Sequence, residues 1–553
     1  MSNLSQSVPA NAPASPQGPK WRRLALLLGG GAVALTGIRL TTAELFGGNA
    51  NRFLATEICS LIVGMLFCAW LIRDSGLRSR VRYGILAFLF VGLAAFLSVF
   101  RIERITFGGD MQQRLPPYRR WVVELQRRFG ADVVDIVPEA RTAATALDMS
   151  ATEFDSPSFF GPTHDGHFRL PAGKKLARDW AAKPPKQLWR VPVGPAWSSF
   201  AVVGHYGFTQ QQTSDEAFEQ VACFDLNTGK HEWVHSDAPG HYWQLGGYGP
   251  RATPTFHLGK LFTLGSSGLL SSFDAATGKV LWSHDVLKEN TAEAPMWGKS
   301  SSPTIVNTKT HGDVVVVSVG GKSGHSVVAY RADTGQVAWQ AGDDPAGYAT
   351  PMVATLGGVR QALIVNFQSV TAHDPETGRQ LWKYDGWDQG QPKVPQPIVV
   401  DDRHVFVSAG YGVGCRLLEV TKDGESWKVD EKYKSPKFKP KFMNPVLRGE
   451  YVYGLDDGEF LMCIAWKDGA VKWRSKRGMN YGHGQILLVD DLLVVQCEEG
   501  DVALVEAKPD GFHELGRFTA LPTGVSWNQP VLWGTKLLVR NDEEAACYEL
   551  ATE

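Results

Sequence analysis

Asp274-Ala275-Ala276-Thr277-Gly278-Lys279-Val280-Leu281-Trp282 sets a tryptophan four residues after a turn glycine, and the phrase returns along the chain. Asp225 to Gly229 leads to Trp233, and Asp374 to Gly378 leads to Trp382. Asp333-Thr334-Gly335 before Trp339 and Asp468-Gly469 before Trp473 keep the spacing with a shorter turn. Gly424 before Trp427 and Gly511 before Leu515 are eroded copies, and Trp189 opens the series from a strand at 187–192 with no turn before it. The steps are 44, 49, 57, 43, 45, 46 and 42 residues. Repeats of this length mark propellers and solenoids, whose units cannot bury their own faces.

The chemistry of the phrase is that of a β-hairpin. Asp and Thr bond to nearby backbone, and glycine takes the positive φ of a tight turn between twisted strands. The following strand carries an indole that needs a wall, and covering one is worth roughly 2–3 kcal/mol. A second repeat runs out of phase with the first: Thr253-Pro254, Ser302-Pro303, Thr350-Pro351, Gln396-Pro397, Asn444-Pro445 and Gln529-Pro530, with Ser199-Phe200 and Gly484-Gln485 in the two gaps. Proline is tolerated at the first residue of a strand. These eight starts are about 47 residues apart, which leaves room for four short strands each. The unit is a blade. After Pro530 only two further strands remain, so the isolated strand 187–192 is expected to complete the last blade and leave no bare edge. The sequence therefore predicts an all-β, closed eight-bladed β-propeller of four-stranded antiparallel blades over 156–553.

Ahead of the propeller, 1–20 is rich in Ser, Pro, Ala, Asn and Gln and reads as a disordered tail. The region 21–100 holds three apolar stretches, about 24–40, 53–72 and 83–100, each near the length of a bilayer crossing. Buried helices are the alternative, but the basic separators favour three transmembrane α-helices. Lys20, Arg22 and Arg23 precede the first stretch, and Arg73, Arg78, Arg80 and Arg82 lie between the second and third. The positive-inside rule then puts the N-terminus in the cytoplasm. The expectation is a multi-pass inner-membrane anchor with the propeller on the periplasmic side. Residues 101–155 read as a tether with one helix, 118–129. A net charge of −1 lacks the basic face that a nucleic-acid partner requires.

Phe159-Phe160-Gly161-Pro162-Thr163-His164-Asp165-Gly166, together with the Asp-x-x-Thr-Gly-x-x-x-Trp turns and the Ser/Thr-Pro strand starts, resembles the pyrroloquinoline-quinone-like β-propeller repeat proteins. These include quinoprotein dehydrogenases and the propeller lipoprotein of the outer-membrane β-barrel assembly machinery. The resemblance covers about 155–550 and is specific for fold, whereas one propeller hosts unrelated activities. It implies either a binding scaffold needing no cofactor or a dehydrogenase using pyrroloquinoline quinone (PQQ) with calcium. The resembling alcohol dehydrogenases carry two adjacent cysteines over the quinone; this chain has seven cysteines, no adjacent pair and no haem-attachment motif.

If the Pro-led strands line the axis, the residues just before them converge on one lip: Trp197, Tyr248, Arg251, Trp297, Tyr348, Phe442, Tyr481, His483 and Trp527. Aromatics with a cation or two make a mouth for a planar ligand or a peptide; the plainer account is mutual packing. Asp343, Asp344 and Glu293 lie in loops toward the same lip and read as solvated acids. His231, His235 and His241, and likewise His164 and His167, lack the preorganised spacing of a metal site, so no metal is expected. Cys223, Cys463 and Cys547 fall where other copies have Ser272, Ala329 and Ala372, and read as small core residues. The reading that follows is a membrane-anchored scaffold for a protein or other envelope partner; the alternative is a PQQ-dependent oxidoreductase of an alcohol or sugar.

Overall fold

The computed structural model describes residues 21–40, 49–102, 106–107, 113–114, 117–119, 146–213, 218–240, 242–243, 246–387, 390, 392–458, 460–522 and 524–553. Two compact units divide the chain, one formed by 1–105 with 115–130, the other by 106–114 with 131–553.

The first unit contains α1 (Trp21–Leu40), α2 (Asn49–Arg73) and α3 (Ser79–Val99). Trp21 lies against Trp70 with ring centroids 5.6 Å apart, and Arg23 pairs with Asp74 at 3.0 Å. Gly31 lets α1 approach α2: a Cβ there would come 2.8 Å from a Val63 methyl. The helices fall where the apolar stretches predict them. The three membrane spans at 24–40, 53–72 and 83–100 are not supported, however. Among the described residues no helix is long and apolar enough to cross a membrane. Most of the tether helix expected at 118–129 lies outside the described residues; 117–119 is a short strand paired with 100–102.

The second unit is the expected propeller. Eight antiparallel sheets follow one another in chain order. Blade 1 spans 201–239, blade 2 255–285, blade 3 304–341, blade 4 352–384, blade 5 398–435, blade 6 446–474 and blade 7 485–519. Blade 8 takes its three inner strands from 531–549 and its outer strand from Lys186–Pro192, with Cys547 opposite Trp189. The ring closes as the lone N-terminal strand predicts. Blade 7 has a short fifth strand: His167–Phe168 runs parallel to its inner strand, with Phe168 opposite Val489.

Four seams explain the Gly-to-Trp phrase. The turn glycine of one blade lies on the indole of the blade before it: Gly229 on Trp189, Gly278 on Trp233, Gly335 on Trp282 and Gly378 on Trp339. A Cβ at any of the four would come within 2.5–2.9 Å of the ring. The glycine thus serves the turn through its φ of 73–76° and the seam through its missing side chain. The indole N–H then donates across the seam, from Trp189 to Leu226 O at 2.7 Å, Trp233 to Ala275 O at 3.0 Å and Trp339 to Pro375 O at 2.9 Å. Small residues sit opposite the rings on the neighbouring strand: Cys223, Ser272, Ala329, Ala372, Cys463 and Cys547.

Two blades solve the seam differently. In blade 5 a longer hairpin shifts the register, so the ring position belongs to Tyr433, on which Gly469 rests and whose hydroxyl donates to Trp466 O at 2.6 Å. Trp427 lies near the hairpin tip opposite Lys422 and leans on Gly357 of blade 4. In blade 7 the ring position is Gly516, and Trp180, from the segment before blade 8's outer strand, fills the space; a Cβ on Gly516 would sit 2.8 Å from that of Trp180. Trp180 is buried and meets Phe518 edge-on at 5.5 Å.

The polar residues of the second repeat form an inner girdle. Backbone amides of Ser199, Thr253 and Ser302 donate to the side-chain oxygens of Thr253, Ser302 and Thr350 at 2.9–3.1 Å. The Gln396 amide donates to Asn444 Oδ1 at 2.6 Å. Gln396, Gln485 and Gln529 reach back through Nε2 to Thr350 O, Phe442 O and Ile486 O of the preceding blades. Ser199 closes the circle by donating to Gln529 O. Buried backbone groups at the axis are satisfied by the next blade along, which is the role of a small polar residue before each strand.

Candidate functional site

Six aromatic rings form an arc around one end of the channel. Ring centroids step from Tyr348 to Trp297 at 5.5 Å, to Tyr411 at 5.9 Å, to Phe442 at 6.3 Å, to Trp527 at 4.8 Å and to Trp197 at 4.5 Å. Arg251 lines the same cleft, whose volume is about 850 Å³. Phe159, from the loop ahead of the propeller, lines it too, and Asn444, Gln485 and Gln529 of the polar girdle contribute amides.

Backbone and buried acids hold the arc in place. The Gly246 carbonyl accepts from Trp197 Nε1 at 2.7 Å and from Arg251 Nη2 at 2.7 Å, while Arg251 Nη1 donates to Gly249 O at 2.9 Å. Gly246 gives the arc room: a Cβ there would come 2.8 Å from the Arg251 guanidinium and 3.2 Å from Trp297, and the guanidinium would have to shift. Burial lowers the Arg251 pKa to about 10, so the group stays charged at neutral pH. Buried Glu498 accepts from Trp527 Nε1 at 2.8 Å and from the His483 amide at 3.2 Å. Trp297 Nε1 is buried and has no partner. Burial pushes the Tyr348 phenol up, which keeps it neutral.

Of the nine lip residues expected from sequence, Trp197, Arg251, Trp297, Tyr348, Phe442 and Trp527 line the cleft together. His483 is buried behind it with its ring 5.2 Å from Phe442. Tyr481 is fully buried elsewhere, donating its hydroxyl to Glu514 and covered by the Arg517 guanidinium 4.9 Å from its ring. Tyr248 is half-buried in a two-residue hairpin opposite Tyr242. Asp343 accepts from the Gly324 amide at 2.7 Å, and Asp344 pairs with Lys383 at 2.9 Å; neither lines the cleft. Tyr411, Phe159 and Glu498 escape the sequence reading, because none precedes a Pro-led strand. Tyr411 carries Lys441 Nζ 4.7 Å above its ring and adopts φ 55°, the kind of turn its Gly410 and Gly412 neighbours signal.

A second chamber, of about 610 Å³, lies on the other side of Asn444, which lines both. Phe159 faces the first and Phe160 the second, their rings 5.9 Å apart. His164 and His167 line this second chamber with Asp165. His231 lies tilted against Phe224 at 4.2 Å and His235 meets Phe273 edge-on at 5.2 Å, and His241 lies outside the described residues. The five propeller cysteines are free and buried.

A family model of the PQQ repeat type, described as "Outer membrane protein assembly factor BamB", matches residues 217–475. The outer membrane protein assembly factor BamB of Shewanella oneidensis is 23% identical over 244 residues, covering 42% of this chain and 58% of that protein. The match thus spans less than two thirds of that relative's length. Among solved structures, BamB from Moraxella catarrhalis aligns with a TM-score of 0.45 at 16% identity, over 66% of this chain and all of that one. A europium-containing methanol dehydrogenase aligns at 0.50 and 12% identity, over 70% of this chain and 96% of that one. In its repeats the chain is similar to the assembly factor BamB, and in fold to a europium-containing methanol dehydrogenase.

Proposed function

We propose that the propeller is a binding scaffold of the cell envelope whose aromatic cleft receives an apolar or aromatic side chain of a partner protein. The observation that carries this reading is the arc from Tyr348 to Trp197, six rings contributed by separate loops around one mouth. Rigid rings give contact area at small entropic cost, and such residues dominate protein interfaces. The likeness to an outer membrane protein assembly factor supports a protein partner. Part of the proposal is that the helical unit, with Leu26, Val33, Phe88 and Phe90 exposed, seats in a lipid surface and puts the propeller in the periplasm. Resistance of the full chain to alkaline extraction from membranes tests that part; release into the supernatant ends it.

The alternative, a PQQ- and calcium-dependent oxidoreductase, fits the cleft poorly. Among the described residues its lining includes no carboxylate to hold calcium and no cysteine. Its guanidinium is already spent on the Gly246 and Gly249 carbonyls.

The cleft itself is tested by indole fluorescence. Titrating the full chain with unfolded β-barrel segments rich in Phe, Tyr and Trp is expected to give a saturable change that weakens about tenfold or more in Phe442→Ala. No saturable change, or one that Phe442→Ala leaves intact, removes the reading. A saturable change with PQQ and calcium would restore the oxidoreductase.

A further inference from the structure

His167, in the lining of the second chamber, pairs with Leu488 on the inner strand of blade 7, three residues along from Gln485 of the aromatic cleft. The chamber's polar lining is the Asp165 carboxylate, the amides of Gln396 and Asn444, the Thr163 hydroxyl, already donated to Asp165, and two histidines. Gln396 is 4% exposed; its Nε2 donates to Thr350 O at 3.2 Å, and its Oε1 is buried with no partner among the described residues. Asp165 accepts through Oδ1 from Thr163 Oγ1 at 2.6 Å and from the His167 amide at 3.1 Å, which leaves Oδ2. His167 Nε2 lies 2.7 Å from Leu447 O; a carbonyl only accepts, so Nε2 donates there. Burial lowers the pKa of His164, which adds no charge at neutral pH. No Lys or Arg lines the chamber, and its walls are Met352, Ile398, Val399 and Leu447.

One formal negative charge, an orphaned buried carbonyl and apolar walls together specify a ligand with several donors, positive charge and a short hydrocarbon stem. We propose that this chamber is a binding site for an alkylammonium or alkylguanidinium group. An anion is repelled by Asp165, and a neutral alcohol could satisfy Gln396 but would leave the carboxylate's charge unused. The loop makes the site by bending tightly: Phe160 and His164 take φ of 66° and 60°, and Gly161 and Gly166 take 91° and 76°. Strain of this kind persists where the surroundings fix it, commonly at binding sites. The same chemistry is presented by an Arg or Lys side chain of a partner and by a small free amine.

Isothermal titration of the full chain with n-butylguanidinium tests the assignment, with neutral n-butylurea as control. Saturable binding is expected, weakened on the order of tenfold by Asp165→Asn, which keeps the oxygen that caps the loop but removes the charge. The imidazole Cε1–H resonance of His167 should move with the same saturation, a readout that stays informative if the variant folds badly. Acetyl-Gly-Arg-Gly-amide separates the sources: binding at least as tight as butylguanidinium points to a protein side chain, and binding of the free cation alone points to a small amine. No saturable heat at about 10 mM ligand, equal affinity in Asp165→Asn, or equal binding of n-butylurea overturns the proposal.

Discussion

The seam between blades 1 and 2 and the one at blade 7 bury the same kind of ring by different routes. At the first, Trp233 comes from the blade's own outer strand, is 1% exposed, and has the next blade's Gly278 laid on its face. At the second, the strand offers only Gly516, and Trp180 arrives from a segment more than three hundred residues earlier. What is fixed is the volume between two twisted sheets; which residue fills it is open. A gap of that size left empty loses both transfer free energy and packing.

Substitutions can break this equivalence. Trp233→Ala is expected to cost roughly 3–5 kcal/mol in denaturant unfolding, and Trp180→Ala a similar amount although Trp180 belongs to no blade. If Trp180→Ala cost under about 1 kcal/mol, blade 7 would have no seam of the common type. Trp282→Ala should fall near about 3 kcal/mol, because its ring is only half-buried and its N–H bond to Ala332 O is long at 3.3 Å. Tyr433→Phe keeps the ring and removes the bond to Trp466 O, for about 1 kcal/mol. Trp427→Ala should be the mildest, under about 1 kcal/mol, since the ring sits near a hairpin tip. A larger loss there than at Tyr433 would return the seam to Trp427.

These contrasts show what local sequence can carry. Eight blades, the closing strand and the small residues opposite each indole were legible because each depends on spacing within one hairpin or on a simple count of strands. Trp427 matched the spacing, yet the longer strands of blade 5, Gly414–Asp423 and Ser426–Ser435, moved the turn outward and left Tyr433 at the seam. Nothing near Gly516 announces Trp180, since the contact is non-local. The Ser/Thr/Gln/Asn before each strand read as a start signal, but its hydrogen bonds run to the next blade, about 48 residues on, so the girdle could be drawn only once the ring was closed. The same holds for the lip. Position before a Pro-led strand found Trp197, Arg251, Trp297, Tyr348, Phe442 and Trp527, because one loop per seam points that way. It misplaced Tyr481, whose ring turns into neighbouring structure, and Tyr248, which stays in a short hairpin off the cleft, and it missed Tyr411, which reaches the arc from between two strands of blade 5. The apolar N-terminal stretches predicted helices, and helices are what the chain forms there. A crossing of the bilayer is a further property, which forming a helix does not by itself carry.

Completion of the circle by Lys186–Pro192 also has a cost in time. Arg190 and Tyr548, bonded to each other at 2.9 Å, are 358 positions apart. While the chain is being made, the early strand stays single until its partner emerges, and a pairing of such long range is intrinsically slow to form. Until then both its edges are open to any passing strand. A cell making this protein would therefore gain from a holdase that shields the waiting segment, and shortening the chain by its last ten residues should leave an open, sticky arc rather than a slightly weaker ring.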